Sequence, residues 1–528
     1  MFIGEKMYKK PTLKLIKNHV VYKKNPSILF YELCKKRSFT LLLESADINK
    51  KKDLKSLLII DSAIRITALD NKVRFKILSK NGKKLLSLMK NLIPDIIKII
   101  FYKDGYELIF PTINHMQDED SKLKSISVFD ALRFVNQVVK SSKEEKMSVF
   151  LGGFFSYNLV DHFEPLLYVN LKKNCPDYCF YLAETLLIID HRNKTSILQA
   201  SLFVPSQSEE KRLKKRVNEL TNIIEKSNIS LYKIPTKKIK NMKLKAIPNK
   251  ENFCRIIKEM QKEIILGEVF QVVPSQQFYL PCPSSLTAYN ILKKKNPSPY
   301  MFFMQDKSFT LFGASPESSL KFNSSTRKIE IYPIAGTRPR GYSINGFINN
   351  DLDKRIELEM RIDKKELSEH LMLVDLARND LSKICIPGSR FVEELLKVDR
   401  YSFVMHLVSR IVGTLRNDLD VLHAYRACMN MGTLTGAPKI RAMQLIAEKE
   451  TKKRGSYGGA IGYLTSMGDL DTCIIIRSAY VKNDIATIQA GAGVVVNSNP
   501  EDETNESLNK ARAVLYAIAK AHYCKDTF

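Results

Sequence analysis

Two pairs of glutamates stand three residues apart in segments of helical pattern: Glu366 and Glu369 in KKELSEHLMLVDLARNDL, and Glu503 and Glu506 in PEDETNESLNKARAVL. A spacing of three puts both carboxylates of a pair on one helix face. Leu367, Leu371 and Val374 in the first segment, and Leu508, Ala511, Val514 and Leu515 in the second, form apolar stripes. A hard cation such as Mg2+ takes oxygen ligands and keeps positions for water and a substrate oxygen. Two acidic faces brought together would serve it, although each alone is also what a solvated helix displays.

Other residues are suited to an acidic substrate and to proton transfer. Arg477 lies in CIIIRSAY, which reads as an apolar strand; a buried guanidinium there demands a bound carboxylate or a structural ion pair. His406, in the apolar run YSFVMHLVSR, is a general acid or base near neutrality or a hydrogen-bonded core histidine. Glu317 follows a proline in GASPESSL, where a pocket would tune it as a proton donor and a plain turn would not. Gly491 and Gly493 in QAGAGVVV let a backbone N–H approach a ligand, or mark a bulge. PIAGTRPRG, Pro333 to Gly341, reads as a tight loop built to hold an anion, with Ala335 beside its glycine. No Ser-His-Asp spacing, nucleophile elbow, phosphate loop or dinucleotide fingerprint is present.

The elements that must position these groups follow from periodicity. Phe253, Ile256, Ile257, Met260, Ile264 and Ile265 predict a helix closed by Gly267, and a strand over 269–273 follows. One long helix is predicted over 353–377 and another over 500–521, with strands between, while the N-terminal half is strand-rich. The segment 206–251 is charged and, apart from one helical stretch, reads as a connector. Strands in antiparallel succession with helices between them predict an α+β fold. At 528 residues and 44% hydrophobic, the chain exceeds one minimal core.

The net charge of +28 is spread as lysine runs such as NKKKDLK and EEKRLKKRV, which points to solvated lysines and no nucleic-acid face. Nine cysteines, with Cys175 and Cys179 the nearest pair, complete no zinc pattern and read as free thiols in a reducing compartment. No signal-type segment and no run near the ~18 apolar residues of a membrane span is visible. A soluble cytoplasmic protein with no membrane association is expected.

In their order, PIAGTRPRG, DKKELSEHLMLVDLARNDL, MGTLTGAPK, the Arg477 segment, QAGAGVV and the terminal Glu503–Lys510 pattern resemble the chorismate-utilising enzymes, and most closely the large components of anthranilate synthase. The catalytic resemblance covers about 245–521, and LLLESADINKKKDLKSLLIIDSAIRITAL resembles those components' regulatory region. It implies an α+β fold of two packed antiparallel β-sheets flanked by helices. The division it suggests is an N-terminal regulatory region at 1–204 packed on the same body, a connector at 205–243, and a chorismate-binding catalytic domain at 244–528.

Residue by residue, the resemblance implies Mg2+ held by Glu369 and Glu506, with Glu366 and Glu503 in support. Arg477, Tyr457 and the backbone of Gly491, Ala492 and Gly493 would hold the enolpyruvyl carboxylate of chorismate, and Gly336 and Thr337 would line the ring-carboxylate side. Thr433 and Lys510 belong to the same pocket. Glu317 matches the acid that assists loss of the ring hydroxyl, and His406 the residue for eliminating pyruvate. Sibling enzymes that make 4-amino-4-deoxychorismate resemble PIKGT, whereas those that make isochorismate or salicylate carry a lysine at the position of Gln271. With Ala335 and Gln271 here, ammonia is the implied nucleophile and anthranilate the product, the first committed step toward L-tryptophan.

No G-x-C-x-G nucleophile segment is present, so the resemblance implies a separate glutamine amidotransferase subunit (component II) in a heterotetramer of two large and two small subunits. Feedback by L-tryptophan would involve Glu44, Ser45 and Lys55 with Pro299, Tyr300 and Met301. The rival expectations are a sibling chorismate enzyme, or a non-catalytic basic binding protein on this fold.

Overall fold

The computed structural model describes the chain apart from residues 1–10, 46–53, 113–115, 140–144, 167–170, 172, 228–233, 235, 240–241, 344, 346, 402–403 and 523–528. Its architecture is organised by two long strands, Lys55–Leu69 and Tyr178–Asp190, which pair antiparallel along most of their length. Register shifts between Ile59 and Ile64 interrupt that pairing, and bulges of this kind bend and twist a strand pair. The two halves of the pair consequently run in two facing sheets, which hydrogen bonds join edge to edge into one closed barrel.

On one side of the bend, Thr40–Glu44 joins the first half of Lys55–Leu69, and the sheet continues through Tyr300–Gln305, Thr310–Ser315, Ser478–Lys482, Ile485–Gly491 and Ser275–Pro281. On the other, Phe150–Phe155 joins the first half of Tyr178–Asp190 and leads through Ala460–Thr465, Leu470–Ile474, Ser318–Asn323 and Lys328–Ile331 to Val404–Thr414. These pairings are all antiparallel, and strands from the first 204 residues are built into both sheets.

Alternation along the strands assigns their two faces. Leu41, Leu57, Phe302 and Leu311 of the first sheet pack with Phe150, Phe154, Ile461 and Cys473 of the second in one core between the sheets. Their neighbours Leu42, Leu58, Phe303 and Phe312 face outward, onto a layer containing the helices Pro26–Cys34, Gln207–Lys226, Ser285–Lys295 and Pro500–His522. The outer face of the second sheet is covered by another helical layer that includes Lys80–Met89, Asp130–Gln137 and Val421–Cys428. Two antiparallel sheets packed face to face between helices is the α+β architecture expected.

Several local expectations are corrected. The predicted helix 353–377 is two helices, Asn350–Ile362 and Lys364–Ser382, broken at Asp363, whose carboxylate accepts the Glu366 N–H at 3.1 Å. An acid three residues before a glutamate is a capping signal, and it starts a new helix here. The charged connector contains the 20-residue helix Gln207–Lys226, which buries Leu213, Val217, Leu220 and Ile224. Its stripe at helical spacing makes it part of the body, not a spacer. The strand predicted at 269–273 is reduced to Gln271–Val272, paired with Gly436–Ala437. Among the described residues no helix is long and apolar enough to cross a membrane.

Candidate active site

A cavity of about 700 Å3 collects side chains from both sheets and from the helices Lys364–Ser382 and Pro500–His522. One wall is the strand Ile334–Pro339, which pairs with Val404–Thr414 through a register shift between Ala335 and Thr337. PIAGTRPRG is therefore a bulged strand and not an anion-holding loop. Its arginines serve acids of the chain: Arg338 bonds the carboxylates of Glu366 and Asp363, and Arg340 bonds both Asp353 oxygens at 2.8 and 2.9 Å. Gly336 at the bulge has φ +76°, and a Cβ there would lie 2.7 Å from Glu366 Oε2. Both its backbone and the carboxylate beside it require glycine.

Glu366, Glu369, Glu503 and Glu506 all line this cavity. Glu503 Oε1 accepts from Ser498 Oγ at 2.8 Å, and Glu506 pairs with Lys510 Nζ at 2.6 Å. Glu366 gives one oxygen to Arg338, while its Oε2 is buried with no hydrogen-bond partner. Carboxylates from two helices facing one cavity, with one carboxylate oxygen left without a donor, are a donor set that suits a hard divalent cation. Among the described residues no three such side chains are drawn together tightly enough to enclose an ion unaided. The set is one that water or a substrate oxygen would complete.

Two buried titratable groups, Glu317 and His406, also line the cavity. Burial pushes the Glu317 carboxyl up to about 8, against the opposing pull of the Ile334 N–H and the Lys510 and Arg477 charges. Burial, reinforced by the Arg477 charge, pushes the His406 imidazole down to about 4, and its Nδ1 lies 2.9 Å from Thr337 Oγ1. At neutral pH the site thus contains a protonated carboxylic acid and a neutral imidazole.

Arg477 lies at the break between Leu470–Ile474 and Ser478–Lys482, with φ +49°, and not inside a strand. Its guanidinium is partly buried in the cavity wall, donates to the Lys510 carbonyl at 3.0 Å and makes no ion pair among the described residues. A guanidinium in a cavity wall with no carboxylate partner is suited to binding one.

Tyr457, Thr433, Gln271, Ala335, Gly491, Gly493 and Lys510 also line the cavity, and Lys510 Nζ donates to the Gly491 carbonyl at 3.1 Å. Ala492 is fully buried and does not line it. Packing requires the first of the QAGAG glycines, since a Cβ at Gly491 would lie 2.2 Å from the Pro274 carbonyl oxygen, whereas one at Gly493 would lie 2.5 Å from Gln271 Nε2 and would displace that side chain.

The six residues matched to an effector site lie outside this cavity. Glu44 pairs with Met301 in neighbouring strands, and its carboxylate takes Lys293 Nζ at 2.6 Å and the Tyr289 hydroxyl. Ser45 Oγ is buried without a partner, and Tyr300 OH donates to Asp471 at 3.0 Å. Pro299 directly precedes Tyr300, and Lys55 opens the strand that pairs with Thr40–Glu44.

Sequence reasoning did not single out Arg338, Asp363, Gln489 or Asn509 as lining residues. Asn509 lies three residues after Glu506 on the same helix face, and Gln489 two before Gly491 on the same strand face, so both periodicities held the signal.

Residues 102–516 match the family of chorismate binding enzymes. The chain is 59% identical over 519 residues to anthranilate synthase component 1 of Escherichia coli (strain K12), covering 98% of this chain and 99% of that one. It is 57% identical over 519 residues to the Salmonella typhimurium protein of the same name, with the same coverage. The crystal structure of anthranilate synthase component I from Streptococcus pneumoniae TIGR4 superposes with a TM-score of 0.65 at 27% identity, over 88% of this chain and 93% of that one. The menaquinone-specific isochorismate synthase of Escherichia coli shares the fold, with a TM-score of 0.68 at 17% identity over 96% of this chain and 95% of that one. With this identity along nearly its whole length, the chain belongs to the chorismate-binding enzymes and, within them, to the anthranilate synthase component 1 family.

Proposed function

We propose that the 700 Å3 cavity converts chorismate and ammonia to anthranilate and pyruvate. The observation that carries this reading is the absence of a free lysine amine to act as nucleophile or base. Ala335 and Gln271 occupy the two wall positions where the sibling enzymes carry lysine. Among the described lining residues the one lysine, Lys510, is engaged by Glu506 and by the Gly491 carbonyl.

Arg477 and Tyr457 hold the enolpyruvyl carboxylate, and Thr337 and the glycine bulge at 336 border the ring carboxylate. Mg2+ held by Glu369 and Glu506, with Glu366 and Glu503 beside them, would supply positive charge to that ring carboxylate. Ammonia forms the bond to C2 as the C4–O bond breaks, the protonated Glu317 gives its proton so that the hydroxyl leaves as water, and the proton then lost by the attached ammonium restores the Glu317 acid. The neutral His406 then takes the C2 proton, the C3–O bond breaks, and the enolpyruvyl methylene takes up a proton to leave as pyruvate. Glu317 and His406 are themselves buried, which strengthens their part in these steps.

Ammonia comes from a glutamine amidotransferase subunit (component II), two of each subunit forming a heterotetramer in the cytoplasm. L-Tryptophan binds at Glu44, Ser45, Lys55, Pro299, Tyr300 and Met301 and closes the site from a distance. Residues 1–204 form the regulatory region and meet 299–301 of the catalytic domain, 244–528, at that effector site.

The test is product identification by chromatography, with purified chain, chorismate, Mg2+ and ammonium at alkaline pH. Anthranilate with pyruvate supports the reading; isochorismate, salicylate or a 4-amino product overturns the assignment of Ala335 and Gln271. Thermal stabilisation by chorismate and Mg2+ without turnover would favour a binding protein.

A further inference from the structure

Tyr457 stands between two hollows. It lines the main cavity and also an adjoining one of about 280 Å3, bordered by Gln277, Tyr279, Lys452, Arg454 and Ser478. The ring is buried and packs into the core, yet it borders both hollows, so fewer packed neighbours fix it than fix a fully enclosed ring.

Arg454 is placed to give it. This guanidinium is 5% exposed, and its carbon lies 5.6 Å from the centre of the Tyr457 ring and 4.7 Å from that of Tyr157. It is held rigidly. Nη1 donates to the Leu434 carbonyl at 2.6 Å, Nη2 to the Val273 carbonyl and to Glu450 Oε1, both at 2.6 Å, and Nε to Glu450 Oε2 at 3.0 Å. Glu450 Oε1 also accepts from Ser275 N at 3.0 Å and Ser275 Oγ at 2.7 Å. One planar cation therefore ties together the turn next to Thr433, the segment following Gln271 and the ring of Tyr457. A lysine could not reproduce that fork.

Resting on the function proposed above, we infer that Arg454 is a positioning residue for chorismate: it contacts no reacting atom and acts by holding the Tyr457 ring, and so its hydroxyl, against the substrate carboxylate. Glu450 keeps the guanidinium oriented, and Tyr157 backs it from the N-terminal part of the chain. Cation–π support of a desolvated ring predicts about a tenfold effect on substrate affinity.

A double-mutant cycle tests this. The KM values for chorismate and for ammonium are measured in Mg2+-containing buffer for the wild-type chain, Arg454→Met, Tyr457→Phe and the double variant. The expected result is a rise of about tenfold in chorismate KM for Arg454→Met, no change in ammonium KM, and a rise below about twofold when Arg454→Met is added to Y457F, since the hydroxyl to be positioned is then gone. Equal factors in both backgrounds, or a parallel rise in ammonium KM, would show a merely structural role and overturn the inference. If Arg454→Met does not fold, Arg454→Lys, which keeps the charge beside Glu450, enters the same cycle. Should the wild-type chain make no anthranilate, the function proposed above fails separately. The cycle is then read from chorismate-induced thermal shifts.

Discussion

Replacing Glu317 by glutamine should stabilise the protein at neutral pH while abolishing its proper chemistry. The ordinary glutamate value of 4.5 is raised to about 8 by burial. Each tenfold change in proton affinity is worth about 1.4 kcal/mol, so the charged form costs about 5 kcal/mol in this pocket. The sign follows from proton occupancy. Above pH 4.5 the unfolded chain has lost this proton and the folded chain has kept it, so stability falls as pH rises from about 4.5 to about 8 and is flat beyond. At pH 7 the penalty is about 3 kcal/mol. Glutamine is neutral at every pH and does not bear this cost. Thermal unfolding followed by circular dichroism, which suits a chain without tryptophan, should show equal melting temperatures near pH 5. By pH 7 the Glu317→Gln variant should lead by roughly 3–6 °C, taking a smaller shift per kcal/mol than in small domains. Its kcat should fall by about 10^2 to 10^4, the usual worth of a general acid. A melting difference independent of pH between 5 and 9 would refute the argument, because it would mean that this carboxyl is not held protonated.

The other predictions test single contacts. Gly336→Ala forces a methyl to within 2.7 Å of Glu366 Oε2, so the Mg2+ concentration giving half-maximal activity should rise at least about tenfold with little change in ammonium KM; an unchanged Mg2+ requirement counts against the cation site. His406→Asn should leave substrate amination in place and let an aminated, non-aromatic intermediate accumulate, visible by chromatography. Because His406 is held down to about 4, its protonation should not depress kcat until the pH falls toward 5, and a loss of activity centred at 6.5 that His406→Asn removes would contradict this. Ser45→Arg places a charge where a buried hydroxyl lacks a partner and should abolish inhibition by L-tryptophan while sparing uninhibited activity; retained inhibition would displace the effector site.

Much of the site was legible as local pattern. The acids three apart, the glycine of PIAGT and the alternating apolar strands depend on helix pitch, backbone sterics and pleat, which neighbouring residues determine. The break at Asp363 was legible too, as an acid three before Glu366, but the apolar periodicity on both sides masked it. Charge misled in the connector, where lysines and glutamates hide the buried stripe Leu213, Val217, Leu220 and Ile224. It misled again in PIAGTRPRG, whose arginines answer acids on helices beyond the strand.

By itself, then, the sequence determined which residue types stand at which turn of a helix or face of a strand, and through the ordered motifs the family to which they belong. Only the tertiary structure decided that Gln271, Glu317, Glu369, His406, Arg477 and Glu506 share one cavity. It alone left Glu366 Oε2 without a donor, held Glu317 protonated and His406 neutral, and set Arg454 behind Tyr457. The reason is physical: a helix or strand is held by bonds spanning a few residues, whereas the free energy of a charge in a pocket depends on how much water is excluded and which dipoles replace it. That exclusion is the joint work of segments more than two hundred residues apart along the chain.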